Sequence, residues 1–216
     1  MAAVYGGCVT ASPPARPRAG RKSPAERADE VRAAARDIAR RDGLVAVTLR
    51  SVAERVGVAR TLVVHYEPNM EALVAATFRA IAEDELVEMR ALTDARPTAT
   101  DALRVLTHTL LETGRDEVSS LWSEAFVLGR RSPALEDAVR DLMDQWQAFV
   151  VALIERGIRA GEFRTDDVPT VAWQYIGMID GINSHALVGY GAATERGRLV
   201  RHAMEHELGL APGSLR

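Results

Sequence analysis

The fold is decided by the stretch from Thr48 to Tyr66, which reads TLRSVAERVGVARTLVVHY. It predicts two short helices that meet at Gly57, because the turn between them needs a backbone conformation that most side chains resist. Ala53, four residues earlier, is small enough for the two helices to cross closely. Apolar residues stand where the helices would pack together: Val52, Val56, Val58, Val63 and Tyr66. These positions together predict a helix-turn-helix.

Helical spacing of apolar residues continues on both sides of this stretch. The first helix would start at Ser23-Pro24 and end at Gly43, and Asn69 would cap a long fourth helix that runs to about Ala91. Five more helices are predicted near 99–113, 116–130, 133–160, 167–189 and 194–208. No segment alternates apolar and polar residues as a strand does, so the sequence predicts an all-α protein of about nine helices.

Size and composition are those of a folded protein of the cytoplasm. The 216 residues are 47% hydrophobic and 26% charged, which is enough for a substantial core. No run of about 18 apolar residues predicts a membrane span, and the N-terminus lacks the pattern of a secretory signal. The single cysteine, Cys8, cannot form an internal disulfide, which fits a reducing compartment.

Charge is distributed unevenly along the chain. The residues up to Pro68 include twelve Lys or Arg and seven Asp or Glu, a net charge of +5. The remainder includes fifteen basic and twenty-three acidic residues, a net charge of −8. A basic N-terminal part favours a polyanionic partner, and chance unevenness is the alternative that five charges alone do not exclude.

Three segments follow from these patterns. Residues 1–22 are predicted to be a flexible tail that ends in a basic arm of Arg16, Arg18, Arg21 and Lys22. Residues 23–68 would form a domain of three helices that contains the helix-turn-helix. Residues 69–216 would form a larger helical domain.

The segment from Thr48 to Leu73 resembles the signature of the TetR family. The matching features are a threonine, an apolar-Ala pair, an apolar-Gly-Val turn, a helix that ends in His-Tyr, and a capped fourth helix. The C-terminal part is similar to the branch that includes the choline-responsive BetI repressors, through Trp122, the break at Gly161-Glu-Phe163, and Asp180-Gly181.

The resemblance implies a transcriptional repressor. Its N-terminal domain would bind a palindromic DNA operator, and its C-terminal domain would form a homodimer and bind a small-molecule inducer that releases the DNA. The DNA-binding residues would be Thr48, Arg60, Thr61, His65, Tyr66 and Asn69. Helix N-termini attract phosphate through their free N–H groups, which fits Thr48 and Asn69. Tyr66 is equally well explained as a core residue.

Two positions depart from the family pattern. Glu67 stands where an aromatic residue is usual, and Met70 stands where a lysine usually meets a phosphate. These changes should weaken nonspecific DNA binding and its dependence on salt. They leave open a second hypothesis, in which the chain is a helical small-molecule-binding protein whose DNA binding has weakened.

The helix near 167–189 has one face of mostly small residues, which permits close packing of another helix. That face carries Gly177, Gly181, Ser184 and Val188. The resemblance assigns it to the dimer interface, together with the last helix. Packing against another helix of the same chain is the alternative. The opposite face, with Tyr175, Ile179, Ile182 and Ala186, is predicted to face the core or a pocket.

Large flexible and aromatic residues are the candidates for a ligand pocket. They are Phe78, Trp122, Phe126, Met143, Trp146, Gln147, Tyr175 and Met178. Pockets in helical bundles are mostly apolar with a few polar anchors, although each of these residues would serve equally as core packing. The domain's acidic charge and its aromatic rings favour a cationic or neutral ligand over an anion. The fourth helix, with Phe78 and Ile81, would act as a lever between ligand and DNA.

Other polar clusters in the sequence predict neither a metal site nor a catalytic site. His202 and His206 lie one helical turn apart, but Ala203 stands where a zinc-protease motif needs a glutamate, and no third metal ligand is evident. Asp84, Glu85 and Glu88 are predicted to form a solvated helix face. No catalytic constellation is present, so we expect neither an enzyme nor a cofactor or metal.

Overall fold

A computed structural model describes residues 23–112 and 115–216, and no part of these ranges forms a β-strand. The described residues form nine α-helices, which confirms the predicted all-α fold. They are α1 (Pro24–Asp42), α2 (Leu49–Val56), α3 (Arg60–Tyr66), α4 (Met70–Asp94), α5 (Ala99–Glu112), α6 (Asp116–Gly129), α7 (Pro133–Arg159), α8 (Val168–Ala186) and α9 (Ala193–Glu207). Cys8 and the basic arm, predicted within 1–22, lie outside the described residues. None of the described helices has the length and apolar character needed to cross a membrane.

Side-chain caps fix where several helices begin. At α1, the Ser23 hydroxyl accepts the Glu26 N–H at 3.2 Å, while the Glu26 carboxylate accepts the Ser23 N–H at 2.6 Å. Helix α5 is capped from a distance, because the Glu162 carboxylate accepts the N–H groups of Ala99 and Thr100 at 3.0 and 2.8 Å. These bonds satisfy N–H groups that have no partner within the helix. They also tie the turn after α7 to the start of α5.

Some boundaries differ from those expected. Helix α4 continues to Asp94 instead of ending near Ala91, and α8 ends at Ala186 instead of continuing to Gly189. Between α1 and α2, the residues Leu44–Ala46 form a short 3₁₀ turn that the sequence did not predict. A turn of three residues is too short for any periodicity to identify it.

The buried residues form two clusters, and the first of them crosses the predicted domain boundary at 68/69. The first joins α1, α2, α3 and the first half of α4 to residues of α6 and α7. The second joins the last part of α4 to α5, α7, α8 and α9. Helices α4 and α7 therefore contribute to both clusters. A shift of either helix would move residues in both of them.

Candidate functional site

The helix-turn-helix forms as its sequence predicts. Gly57 lies in the left-handed region at φ 74°, and its N–H and that of Val58 both donate to the Ala53 carbonyl at 3.0 Å. Val52, Ala53 and Val63 are buried where α2 and α3 meet. The turn therefore holds α3 against α2 and α1 and leaves its other face outward.

The outward face of α3 carries most of the predicted DNA-binding residues. Arg60, Thr61 and His65 are exposed, and Arg60 has no hydrogen-bond or ion-pair partner among the described residues. Tyr66 is half-buried, with its ring edge-on to that of His65 at 5.0 Å between centroids. Val64, which was not among the predicted DNA-binding residues, is also exposed on this helix.

The two predicted caps flank this face. The Thr48 hydroxyl accepts the Ser51 N–H at 3.1 Å and so caps α2. The Asn69 side-chain oxygen accepts the N–H groups of Glu71 and Ala72 at 2.9 and 3.2 Å and so caps α4. Their capping is confirmed, and both residues are exposed.

The two departures from the family pattern have internal roles. The Glu67 carboxylate accepts a hydrogen bond from Arg32 Nε of α1 at 2.7 Å, so its charge is neutralised within the protein. Met70 packs partly buried against the first core cluster. The negative charge at Glu67 is therefore not a free charge that would repel a phosphate.

A cavity lies among the helices of the C-terminal part. It encloses about 650 Å³ of non-protein space, part of it open to solvent. Its walls come from α4, α5, α6, α7 and α8: Glu85, Leu110, Ser119, Trp122, Ser123, Phe126, Met143, Trp146, Tyr175, Ile176, Ile179, Asp180, Asn183 and Ser184. Four aromatic rings, two carboxylates and four neutral polar side chains thus face one space.

Five of the predicted ligand-binding residues line this cavity: Trp122, Phe126, Met143, Trp146 and Tyr175. Phe78 lies buried behind the wall and contacts Trp122 edge-on, with 5.0 Å between ring centroids. Gln147 and Met178 lie elsewhere: the Gln147 amide donates to the Pro169 carbonyl at 2.8 Å, and Met178 packs against the second core cluster. The contribution of these last two residues to ligand binding remains a prediction.

Glu85 is the first carboxylate of the cavity, and its predicted place on a solvated face is wrong. Its side chain is only 7% exposed, its carboxylate accepts the Trp122 indole N–H at 3.1 Å, and Arg115 Nε lies 3.6 Å away. Burial raises the pKa of Glu85 despite these two partners. The sequence contained the signal, because Glu85 lies one turn after Ile81 and one turn before Met89, on the buried stripe of α4.

Asp180 is the second carboxylate, and no sequence pattern assigned it to a site. It is half-buried, and it has no hydrogen-bond or ion-pair partner for its carboxylate within the described part of the chain. Burial, with a smaller contribution from the negative charge of Glu85, raises the pKa of Asp180 to about 6. An unpartnered carboxylate beside aromatic rings is an environment that favours a positively charged ligand.

Tyr175 closes the cavity from α8. Its side chain is fully buried, and its hydroxyl lies 3.1 Å from that of Thr107. Burial raises the pKa of Tyr175, so the phenol is neutral at any physiological pH. It can therefore contribute a ring face or a neutral hydrogen bond but no charge.

Besides the packing of α6 in the first core cluster, one carboxylate connects this cavity helix to the DNA-binding helices by hydrogen bonds. Glu124 follows Ser123, which lines the cavity, and its carboxylate accepts the N–H groups of Leu44 and Val45 at 2.6 and 3.3 Å. Gly43, at φ 88°, lies so close to this carboxylate that a β-carbon there would clash with it. The connection between α1 and α2 is thus held by a residue of α6.

The small-residue face of α8 is exposed, and Ser184 at its edge also lines the cavity. Gly177, Gly181, Ser184 and Val188 are exposed, and no described atom lies within 4 Å of a β-carbon placed on either glycine. Packing of this face against another helix of the same chain is therefore wrong for the described residues. Trp173, 68% exposed, extends the same face by one turn and was missed by the sequence analysis. Tyr175, Ile179 and Ile182 of the opposite face are buried, and Ala186 is half-buried.

Comparison with protein families matches the chain in two parts. Residues 31–83 match the N-terminal family described as bacterial regulatory proteins of the tetR family. Residues 97–209 match the family described as BetI-type transcriptional repressor, C-terminal. A search of curated proteins found no match.

Solved structures share the fold. A transcriptional regulator from Saccharomonospora viridis, in complex with choline, aligns with a TM-score of 0.75 and 19% identity over 85% of this chain and 98% of that one. A transcriptional regulator from Rhodococcus sp. Rha1 aligns with a TM-score of 0.70 and 19% identity over 86% and 99% of the two chains. A TetR regulator from Haloarcula marismortui aligns with a TM-score of 0.70 and 20% identity over 86% and 97%. The chain belongs to the TetR family of transcriptional regulators and carries a C-terminal domain of the BetI type.

Proposed function

We propose that this regulator is a ligand-responsive repressor, which binds a palindromic operator as a homodimer and is released by a small-molecule inducer. The observation that carries the proposal is the position of the cavity. Three of the helices that line it, α4, α6 and α7, also contribute to the core of the helix-turn-helix domain. A ligand in the cavity therefore acts on elements that orient α3.

Operator binding rests on the outward face of α3 and its flanking caps. The free guanidinium of Arg60 is available to a guanine or a phosphate, and Thr61 and His65 lie beside it. Two copies related by a two-fold axis would place two such helices in successive major grooves, which requires symmetric half-sites. The internal pairing of Glu67 with Arg32 removes one reason to expect weakened binding.

Dimerisation rests on the exposed face of α8. Glycines 177 and 181 leave room for a helix to approach closely, and Trp173 and Val188 offer apolar surface at either side. Leu199 of α9 is also largely exposed. Burying these side chains against a second copy would remove apolar surface from water and so stabilise the dimer.

The cavity supports a small organic cation as the inducer. The aromatic rings supply negatively polarised faces, and Asp180 supplies an unpaired carboxylate. The Saccharomonospora viridis regulator was crystallised with choline, which belongs to this class. A quaternary ammonium ion would be held by the rings and by charge, without needing a hydrogen bond to its nitrogen.

A ligand in the cavity would act on the DNA-binding helices through two sets of contacts. Trp122 contacts Phe78, so a ligand that displaces the Trp122 ring would push on the α4 lever. Glu124, two residues later on α6, would move the backbone at Leu44 and Val45 with it. The ligand can shift the equilibrium only by its differential affinity for the two states, typically about 1–3 kcal/mol.

Operator selection and ligand titration test this function. A symmetric site should be selected from random DNA duplexes, and choline should then lower the affinity for that site. The control ligand is the carbon isostere of choline, in which a neutral quaternary carbon replaces the nitrogen. It should have little effect, because it has the same shape without the charge. Failure to select any symmetric site would favour the alternative, a small-molecule-binding protein with weakened DNA binding.

A further inference from the structure

One apolar side chain stands on the DNA-facing surface of α3. Val64 is 43% exposed, whereas its neighbour Val63 is fully buried in the contact with α2 and α1. A single exposed valine on a surface needs no explanation in general. Val64 differs because the residues on the same face, Arg60, Thr61 and His65, all carry hydrogen-bonding groups.

Helix geometry places Val64 next to the candidate base-reading residues. It follows Arg60 by four residues and Thr61 by three, so the three side chains share one face of α3. Four residues advance about 6 Å along a helix axis, and successive base pairs are about 3.4 Å apart. A base contacted by Val64 would therefore lie about one or two base pairs from a base contacted by Arg60.

The chemistry of the major groove offers one partner for a valine at this position. Among the base edges, only thymine presents an apolar group there, its C5-methyl. Valine presents two methyl groups on a stiff β-branched side chain, so it loses little conformational freedom in making such a contact. Contact with the valine side chain would not stabilise a phosphate, a carbonyl or an amino group.

We propose that Val64 is a specificity-determining residue that contacts a thymine methyl group in each operator half-site. Where Arg60 contacts a guanine, the thymine lies one or two base pairs from that guanine. This inference rests on the proposed operator binding and adds to it a chemical requirement at a defined position of the DNA.

The test uses the full chain and the operator obtained by selection. Each thymine is replaced in turn by deoxyuridine, which keeps the pairing and every hydrogen bond and lacks only the methyl group. Loss of one buried methyl contact corresponds to about a fourfold loss of affinity, and loss from both half-sites to about fifteenfold. We expect one symmetric pair of thymines to show this effect.

Substitution of the protein identifies the partner of that methyl group. Val64→Ala should bind the thymine and deoxyuridine operators with nearly equal affinity, because the contact is already lost. Val127→Ala is the matched control, since Val127 is 67% exposed on α6, outside the helix-turn-helix. It should keep the native preference for thymine.

The outcomes separate this inference from the function on which it rests. If a symmetric operator is selected but uracil is tolerated everywhere, Val64 does not contact a thymine methyl, and the operator function stands. The same conclusion follows if Val64→Ala retains the full preference for thymine. If no symmetric operator is selected, the operator function itself fails and the inference fails with it.

Discussion

Glu124 gives the sharpest prediction about the connection between the cavity and the DNA-binding helices. Its carboxylate accepts two backbone N–H groups from the turn between α1 and α2, at 2.6 and 3.3 Å. Hydrogen bonds to a charged group are worth about 1.5–3 kcal/mol each, and neutral ones about 0.5–1.5 kcal/mol. Because the second bond is long, Glu124→Gln should lower the free energy of unfolding by about 1–2 kcal/mol.

The same substitution should weaken communication between ligand and DNA. A neutral amide holds Leu44 and Val45 less tightly, so movement of α6 is transferred to them less completely. We expect about 1 kcal/mol of coupling to be lost, which is a factor of about five in the inducer-dependent change of operator affinity. Urea denaturation measures the stability, and operator titrations with and without saturating inducer measure the coupling.

Glu117→Gln is the control, because Glu117 lies exposed on the same helix and loses the same charge. It should lower the stability by less than about 1 kcal/mol, through the loss of a charge in the first turn of α6, and should leave the coupling unchanged. If Glu124→Gln shows the native coupling factor while its stability falls as expected, the carboxylate is a structural contact only. The α4 lever would then carry the signal without it.

Three further substitutions test the cavity, the core and the interface. Burial raises the pKa of Asp180 to about 6, so the native fold binds this proton more tightly than the unfolded chain does. The native fold therefore loses stability as the pH rises from about 4 to about 6. Asp180→Asn should remove that loss, raising the free energy of unfolding at pH 7 by up to about 3 kcal/mol. The native protein should bind a cation less tightly below about pH 6, where Asp180 is protonated, and this pH dependence should be absent from the variant. If the stability and the cation affinity of the variant depend on pH as those of the native protein do, another group causes the pH dependence. Gly157→Ala should cost about 1–3 kcal/mol of stability, because its β-carbon would clash with the buried Phe163 ring. Gly129→Ala should not lower the stability, because its new carbon meets only ordinary contacts. If both variants lose the same free energy of unfolding in denaturation, the clash is ruled out. Gly181→Leu should leave the protomer folded and shift light scattering towards a monomer, whereas a native chain that is already monomeric at micromolar concentration would contradict the α8 interface.

Local chemistry explains which features the sequence could predict. The turn at Gly57 and the caps at Thr48 and Asn69 depend on residues within four positions of one another, and each forms as expected. Helix α3 was likewise identifiable, because the turn at Gly57 precedes it and Pro68-Asn69 follows it within a few residues. The residues that determine each of these features all lie within the segment that forms it.

Contacts between distant segments explain what the sequence could not predict. Glu124 meets Leu44 across 80 positions, and Glu162 caps α5 across more than 60. Neither carboxylate differs in its local sequence from one that faces solvent. Glu85 is different, since its position on the apolar stripe of α4 contained the information, and the presence of two other acids beside it obscured the pattern.

The measurement that tests the account most directly is a pair of reciprocal titrations on the same protein. Operator affinity is measured with and without saturating choline, and choline affinity is measured with and without saturating operator. Linkage requires the two factors to be equal, and coupling of about 1–3 kcal/mol corresponds to a factor between about 5 and 150. We predict that each partner weakens the other by the same factor in this range. Choline that binds the cavity with one affinity, whether or not the operator is present, would contradict its role as the inducer.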